Sequence, residues 1–360
     1  MKKTKFYNCH INENAKMVDF VGFEMPIQYT SIIAEHKAVR ETVGVFDVSH
    51  MGEIIIKGDR ALNFVQHITV NNAAKLEDGK VQYSAMCYED AGIVDDLLVY
   101  KLAYNEYMLV VNGANKDKDF EWMKKNNSYD VEIIDESDEY SLLAVQGPNS
   151  RKVIEKLFAQ EIELEFYTFL ISTFGDTKII VSRTGYTGEL GYELYFKGSS
   201  EVAEELWNKL FEAGKEYGIA PTGLGCRDSL RLEMGYCLYG NDIDSTTTTL
   251  EAGLGWITRL KKGEFIGRDV LVSQKENGIQ KKLVPIIFEG RAFPRKDYEI
   301  QKNGKIVGKI TSGTVSPILE KPIAMGYVEV DLAKEDEIID VMIRGKAVPA
   351  KITKLPFVKK

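Results

Sequence analysis

The stretch Asp90-Ala-Gly-Ile-Val-Asp-Asp-Leu-Leu-Val-Tyr100 reads as a turn followed by a buried β-strand. From Ile93 to Tyr100 it is aliphatic or β-branched except for two adjacent carboxylates near its start. Neighbours in a strand point to opposite faces. Val94, Asp96, Leu98 and Tyr100 therefore share one face, and Ile93, Asp95, Leu97 and Val99 the other. Both faces are otherwise apolar, so at least one carboxylate meets a partly buried environment. There it needs hydrogen bonds, a counter-charge or a ligand.

Outward from this strand the chain mixes helices and strands. A helix is predicted from Ser31 to about Val43, capped by Thr30 or Ser31, with Ile32, Val39 and Val43 on one face and Gly44 as its stop. Val45 to Lys57 reads as extended, and a second helix follows from Asp59 to Ile68. Strands are predicted over 82–88, 93–102 and 106–112, then a helix over 117–125. The mixture continues with strands over 141–145 and 178–182 and an amphipathic helix over 201–217. From Lys281 onward the pattern changes to short alternating strands, with hairpin signals at Lys302-Asn-Gly-Lys305 and Arg344-Gly-Lys346. Pro317, Pro322, Pro349 and Pro356 punctuate this part, which reads as a small all-β domain. Ser273 to Gly278 contains no apolar residue and reads as the linker before it.

The composition, 44% hydrophobic and 28% charged over 360 residues, is that of a globular protein of two or three domains with real cores. No apolar run follows the basic N-terminal residues, so neither secretion nor a membrane span is expected. Four well-separated cysteines and four histidines show no metal-ligand spacing, which fits free thiols, a cytoplasmic location and no metal. A net charge of −8 argues against nucleic acid as the main partner. The basic pairs Lys124-Lys125, Lys261-Lys262 and Lys281-Lys282 read as solvated faces, with docking of an acidic protein as the other reading.

Two further stretches and a set of scattered aromatics have residues suited to chemistry. Arg183-Thr-Gly-Tyr-Thr-Gly-Glu-Leu-Gly-Tyr-Glu-Leu-Tyr195 joins two strand-like runs through three glycines, without the spacing of a dinucleotide or P-loop motif. These glycines suit either a plain hairpin or a close backbone approach. Glu193 interrupts an aromatic and aliphatic strand, and its two oxygens suit paired N–H donors; an internal salt bridge is the alternative. Pro221 to Met234 reads as a loop entering a helix, with Arg227 and Arg231 one turn apart. They suit a carboxylate-bearing ligand, or pairing with Asp228 or Glu233. Tyr83, Tyr100, Tyr186 and Trp256 are candidates for a flat-ring pocket or for core. His50 has no nucleophile motif around it.

Taken together, Phe46-Asp-Val-Ser-His-Met-Gly-Glu53, Gly92 to Tyr100, Val111-Asn-Gly-Ala-Asn115, Gln146-Gly-Pro148, Arg183 to Glu189, Gly225 to Glu233, Leu238-Tyr-Gly-Asn-Asp242, Glu251 to Trp256 and Thr311-Ser-Gly313 closely resemble the aminomethyltransferase, or T-protein, family of the glycine cleavage system. The motifs occur in family order over nearly the whole chain. The resemblance implies an α+β fold, a three-domain cloverleaf of antiparallel sheets with flanking helices and a C-terminal all-β barrel or jelly-roll-like domain, with a folate site at the centre. The implied domains are 1–50 with 138–245, 51–137 with 246–273, and 274–360. The implied reaction transfers an aminomethyl group from the dihydrolipoyl arm of lipoylated H-protein to tetrahydrofolate, giving 5,10-methylenetetrahydrofolate and ammonia.

By the same resemblance Asp96 is the catalytic carboxylate beside the reactive folate nitrogens, and Asp95 is structural. A carboxylate there could orient the folate, assist proton movement and stabilise charge on an iminium-like carbon. Glu193 matches the residue that holds the pterin and Arg227 a residue of the folate site. Tyr186, Met51, Tyr83, Tyr100 and Asn112 match positions around the same pocket. The chain departs from the family at Leu190, Asn72, Thr249 and Asp297, where Asp, Asp, Pro and Gly are common, and ends in lysines where many members keep an arginine. A folate-dependent demethylase and a non-catalytic folate-binding protein are the alternative functions. Because the expected H-protein is acidic, a local basic patch of Arg291, Arg295 and Lys296 is expected to guide docking.

Overall fold

The turn at Asp90 does lead into a strand, and that strand runs on to Ala103. The computed structural model describes residues 1–359. Its helices are α1 (Tyr7–Asn12), α2 (Ile32–Glu41), α3 (Ala61–Ile68), α4 (Lys116–Lys125), α5 (Ser150–Phe158), α6 (Ser200–Gly214), α7 (Leu224–Met234) and α8 (Arg268–Asn277). Strands β1 (Lys16–Phe20) and β2 (Phe23–Gln28) pair with each other. A six-stranded sheet has the order β10 (Phe169–Phe174), β11 (Thr177–Ser182), β12 (Gly191–Lys197), β9 (Tyr140–Gln146), β3 (Val43–Asp47), β13 (Ile219–Pro221). A five-stranded sheet has the order β5 (Val81–Cys87), β6 (Ile93–Ala103), β7 (Glu106–Val111), β4 (Gly52–Lys57), β8 (Glu132–Asp135). The last six strands close a barrel in the order β14 (Lys281–Ile287), β17 (Pro322–Glu329), β16 (Lys305–Val315), β15 (Glu299–Lys302), β18 (Ile338–Ile343), β19 (Lys346–Ile352).

By its internal contacts the chain forms two units. The first comprises Met1–Ala61, Lys75–Gln82 and Leu98–Leu230; the second comprises Leu62–Ala74, Tyr83–Leu97 and Arg231–Lys360. In the first unit β12 is buried on both faces, which explains its nearly continuous apolar text. Tyr192, Leu194 and Phe196 join a core built with α5 and α6 side chains such as Val153, Ile154, Leu206 and Leu210. Tyr195 faces the other way, into a layer shared with Ile55, Tyr100, Met108, Val110, Leu142 and Ala144. The barrel of the second unit encloses Val284, Ile286, Ile300, Ile310, Ala324 and Val341. Its two predicted hairpin turns have left-handed central pairs, Asn303 (φ 53°) with Gly304 (φ 76°) and Arg344 (φ 50°) with Gly345 (φ 77°). That is the conformation short hairpins favour.

Three readings change. The Ser31-capped helix accepts its cap bond from Ala34 N at 3.1 Å as expected, but ends at Glu41, because Val43 and Gly44 already belong to β3. Gly44 is required by contact rather than by helix termination: a Cβ there would sit 2.4 Å from Val39 Cγ2 and 2.8 Å from Thr222 Cγ2. The polar run from Ser273 is not a linker; as far as Asn277 it forms the end of α8, stopped by Gly278. Of α8 only Leu271 is buried, so a solvated helix lacks the apolar period that would reveal it. Lys262, read as part of a solvated face, instead turns inward and donates to the carbonyls of Gln66 (2.6 Å), Asn71 (2.8 Å) and Thr69. It satisfies acceptors at and just beyond the C-terminal end of α3, and burial lowers its pKa to about 7.

Candidate active site

In the second unit β6 places its carboxylates as the alternation requires. Asp95 is fully buried, whereas Asp96 is half-buried on the opposite face. The Tyr83 hydroxyl on β5 donates to Asp96 Oδ2 at 3.0 Å. Tyr83 also lies against Trp256, ring centroids 5.9 Å apart and tilted by 33°. Two of the four aromatics proposed for a flat-ring pocket thus meet beside Asp96. The start of the strand is held tightly: a Cβ on Gly92 would come within 2.1 Å of the Ser245 carbonyl oxygen, and Ile93 N donates to Asp244 O and Thr247 O, each at 3.1 Å.

In the first unit Glu193 lies on β12 opposite Ala144 and Ser182 and is 7% exposed. Its partners are hydroxyls rather than the cation of an internal salt bridge: Thr184 Oγ1, and Tyr195 Oη at 3.1 Å, both donate to Oε2. Burial and the Glu193 charge push the Tyr195 phenol well above its ordinary range, so it remains a donor. Tyr100, fully buried, brings its hydroxyl within 3.1 Å of Tyr195 Oη and 3.0 Å of Ser182 Oγ. It therefore supports Glu193 through Tyr195.

The two arginines one turn apart on α7 have different fates. Arg231 is 1% exposed and fully engaged: Nη1 donates to Asp242 Oδ2 (2.6 Å) and Tyr236 O (3.0 Å), and Nη2 to Ser312 Oγ (2.9 Å). Its buried ion pair with Asp242 is to an acid that the sequence reading did not offer. Arg227 is half-buried with its guanidinium 4.8 Å from the Tyr186 ring centre. Burial lowers its pKa, while Tyr186 and Glu193 act in the other direction. An arginine so placed stays charged at neutral pH.

Met51, in the turn after β3, is half-buried against the Tyr195 and Tyr100 layer. Asn112 follows β7, half-buried, and its carbonyl accepts from Asn115 N at 2.8 Å. The three glycines around Glu193 are explained in part by packing. Gly185 and Gly191 pass so close to the Gln146 amide that Cβ atoms would lie 2.1 and 2.3 Å from it, while Gln146 Nε2 donates to Thr184 O at 3.2 Å. Gly188 has φ 75°.

One buried group escaped the sequence reading, and a second, His50, was weighed there only as a nucleophile. Glu53 on β4 is 1% exposed, its Oε1 has no hydrogen-bond partner among the described residues, and burial with Asp135 and Glu193 raises its pKa well above normal. The signal was present: Glu53 shares a strand face with Ile55, which the structure places in the same core layer as Tyr195. His50 is 6% exposed beneath Phe20, at 5.0 Å between rings, and its Nδ1 has no partner among the described residues. Burial and Arg227 hold its pKa at about 4, leaving the ring neutral at pH 7.

These features have close relatives. Residues 6–262 match the GCVT N-terminal domain and residues 281–359 the glycine cleavage T-protein C-terminal barrel domain. An aminomethyltransferase of Halothermothrix orenii is 50% identical over 359 residues, covering 99% of this chain and all of that protein. One of Flavobacterium psychrophilum is 50% identical over 363 residues and covers both chains completely. The crystal structure of glycine cleavage system aminomethyltransferase T from Bartonella henselae superposes with a TM-score of 0.92 at 33% identity, covering 99% of this chain and 98% of that one. The chain therefore belongs to the glycine cleavage T-protein family.

Proposed function

We propose that this protein is the aminomethyltransferase of a glycine cleavage system, moving the aminomethyl carbon from the dihydrolipoyl arm of H-protein to tetrahydrofolate. The observation that carries the reading is its relation, over the full length of both chains, to proteins named aminomethyltransferase. In the reaction the carbon loses its bonds to sulfur and to nitrogen and becomes the bridge between two folate nitrogens. The two protons displaced from those nitrogens leave with the thiol and with ammonia. Tetrahydrofolate supplies the two nucleophilic nitrogens.

The residues present suit that acceptor. A carboxylate whose two hydrogen bonds fall on one oxygen, as in Glu193, keeps its other oxygen for N–H donors of a pterin. Arg227, charged and stacked on Tyr186, suits a carboxylate-bearing ligand. Met51, Tyr100 and Asn112 complete the assignment, together with Tyr83. Asp96 is the catalytic residue: a fixed anion that accepts and returns protons at the reacting nitrogens and favours positive charge as ammonia departs. Asp95, with no exposure, is structural.

The division into residues 1–50 with 138–245, 51–137 with 246–273, and 274–360 is kept as part of this reading, as is a cytoplasmic location. Among the described residues no helix is long and apolar enough to cross a membrane. The test is tetrahydrofolate-dependent ammonia release from aminomethylated H-protein. Release that requires H-protein supports the reading. Folate-dependent demethylation of a small sulfur or oxygen compound without H-protein would replace it.

A further inference from the structure

We propose that Tyr83 is a positioning residue for the Asp96 carboxylate. This goes beyond its assignment to the folate pocket and rests on the aminomethyltransferase reading for its kinetic consequences.

The Tyr83 hydroxyl is the donor on Asp96 Oδ2, and the structure fixes that hydroxyl from two sides. Its ring lies against Trp256, whose 3₁₀ turn spans Leu254–Trp256. Its backbone is held by Asn71: Nδ2 donates to Tyr83 O at 2.8 Å, and Asn71 N donates to Ser84 Oγ at 3.1 Å. Asn71 is 8% exposed and is itself anchored, because its carbonyl accepts from Lys262 Nζ at 2.8 Å. A further bond from Val70 N to Ala85 O, 2.9 Å, continues the clamp along β5. Lys262, Asn71, Tyr83 and Asp96 thus form one chain of supports, in which Asn71 holds the Tyr83 backbone and the Tyr83 hydroxyl holds Asp96, all within the second unit.

Such a chain gives the carboxylate a single orientation before ligand arrives. A hydroxyl donor on Oδ2 also favours the ionised form that must accept a proton. Among the groups that act on Asp96 are the Tyr83 hydroxyl from β5 and the Cys237 thiol beyond α7. The thiol stays neutral because burial, Asp242 and Asp96 raise its pKa well above normal. Asp95, on the same strand, faces away.

The test is Tyr83→Phe, which deletes only the hydroxyl and keeps the ring against Trp256. A positioning role predicts that kcat falls roughly 10-fold, the worth of about one good hydrogen bond, while KM for tetrahydrofolate stays within about twofold. The acid limb of the kcat profile moves to higher pH, since the anion has lost a donor. In an Asp96→Asn background the same change costs nothing further, because the two groups act as a unit. A raised KM with unchanged kcat, or losses that multiply in the double variant, would overturn the proposal. A readout independent of turnover is the ¹³C carboxyl titration of the full-length protein, with the Asp96 signal identified by its absence in Asp96→Asn. Its pKa should rise in Tyr83→Phe, and an unchanged value overturns the proposal. If the native protein releases no ammonia, the functional reading fails, and this titration alone decides between a working and an idle Tyr83–Asp96 pair.

Discussion

Glu53 shows how a single residue can oppose the stability of its own fold. An unfolded chain ionises a glutamate near pH ~4.3, whereas native Glu53 holds its proton well above that, through burial and the neighbouring Asp135 and Glu193. Between those two pKa values the native state binds more protons than the unfolded state, so this group's contribution is fully present at low pH and is lost as pH rises. Glu53→Gln should therefore melt with the native protein below about pH 4 and at a higher temperature at pH 7–8. Thermal unfolding across that range checks it, and coincident curves at pH 8 would contradict it. Glu193 is the complementary case, a buried carboxylate supplied with donors. Glu193→Gln keeps the shape but loses a charge-assisted contact, and should weaken tetrahydrofolate binding roughly 10- to 100-fold by calorimetry. Among the departures from the family, Asp297 occupies a left-handed position, φ 69°, where glycine is easiest; Asp is one of few side chains that tolerate it.

At the scale of elements, most of the architecture was legible because periodicity and turn chemistry agreed. The strand of Asp95 and Asp96, the Ser31 cap and the Asn303-Gly304 hairpin all emerge where pattern and local preference point the same way. What was not legible depends on partners distant in sequence. The end of helix α8 from Ser273 looks like a linker because the helix buries only Leu271, and Arg231 looks like Arg227 until Asp242 closes on it. The Gly185 and Gly191 contacts need Gln146, far back on β9, to make sense. One consequence concerns the entry to β6. Gly92 is held by contact with Ser245 O rather than by a special φ, so Gly92→Ala must push the segment around Asp244 to Thr247 away from the strand. Denaturant unfolding should show a loss of about 1–3 kcal/mol, with activity falling further than folate affinity because Asp96 moves with the strand. An unchanged midpoint would mean the loop yields without cost.

For the whole molecule, the relation to aminomethyltransferases extends from end to end, so the family reading does not rest on one shared domain. On the proposed function, the formal charge of −8 leaves docking of an H-protein expected to be acidic to local features. The loop between β14 and β15 carries Arg291, Arg295 and Lys296, all exposed, around a Phe293 that is 63% exposed. Reversing the three charges should raise KM for aminomethylated H-protein at low salt and leave KM for tetrahydrofolate alone; an unchanged H-protein KM would move the docking surface elsewhere. The central claim, that Asp96 catalyses aminomethyl transfer to tetrahydrofolate, is tested most directly by ammonia release from aminomethylated H-protein, native protein against Asp96→Asn. The account predicts folate-dependent release by the native protein and a loss of roughly 10²–10⁴-fold in the variant, with folate binding retained. Near-native release by Asp96→Asn, or none by a native protein that binds folate tightly, would contradict it.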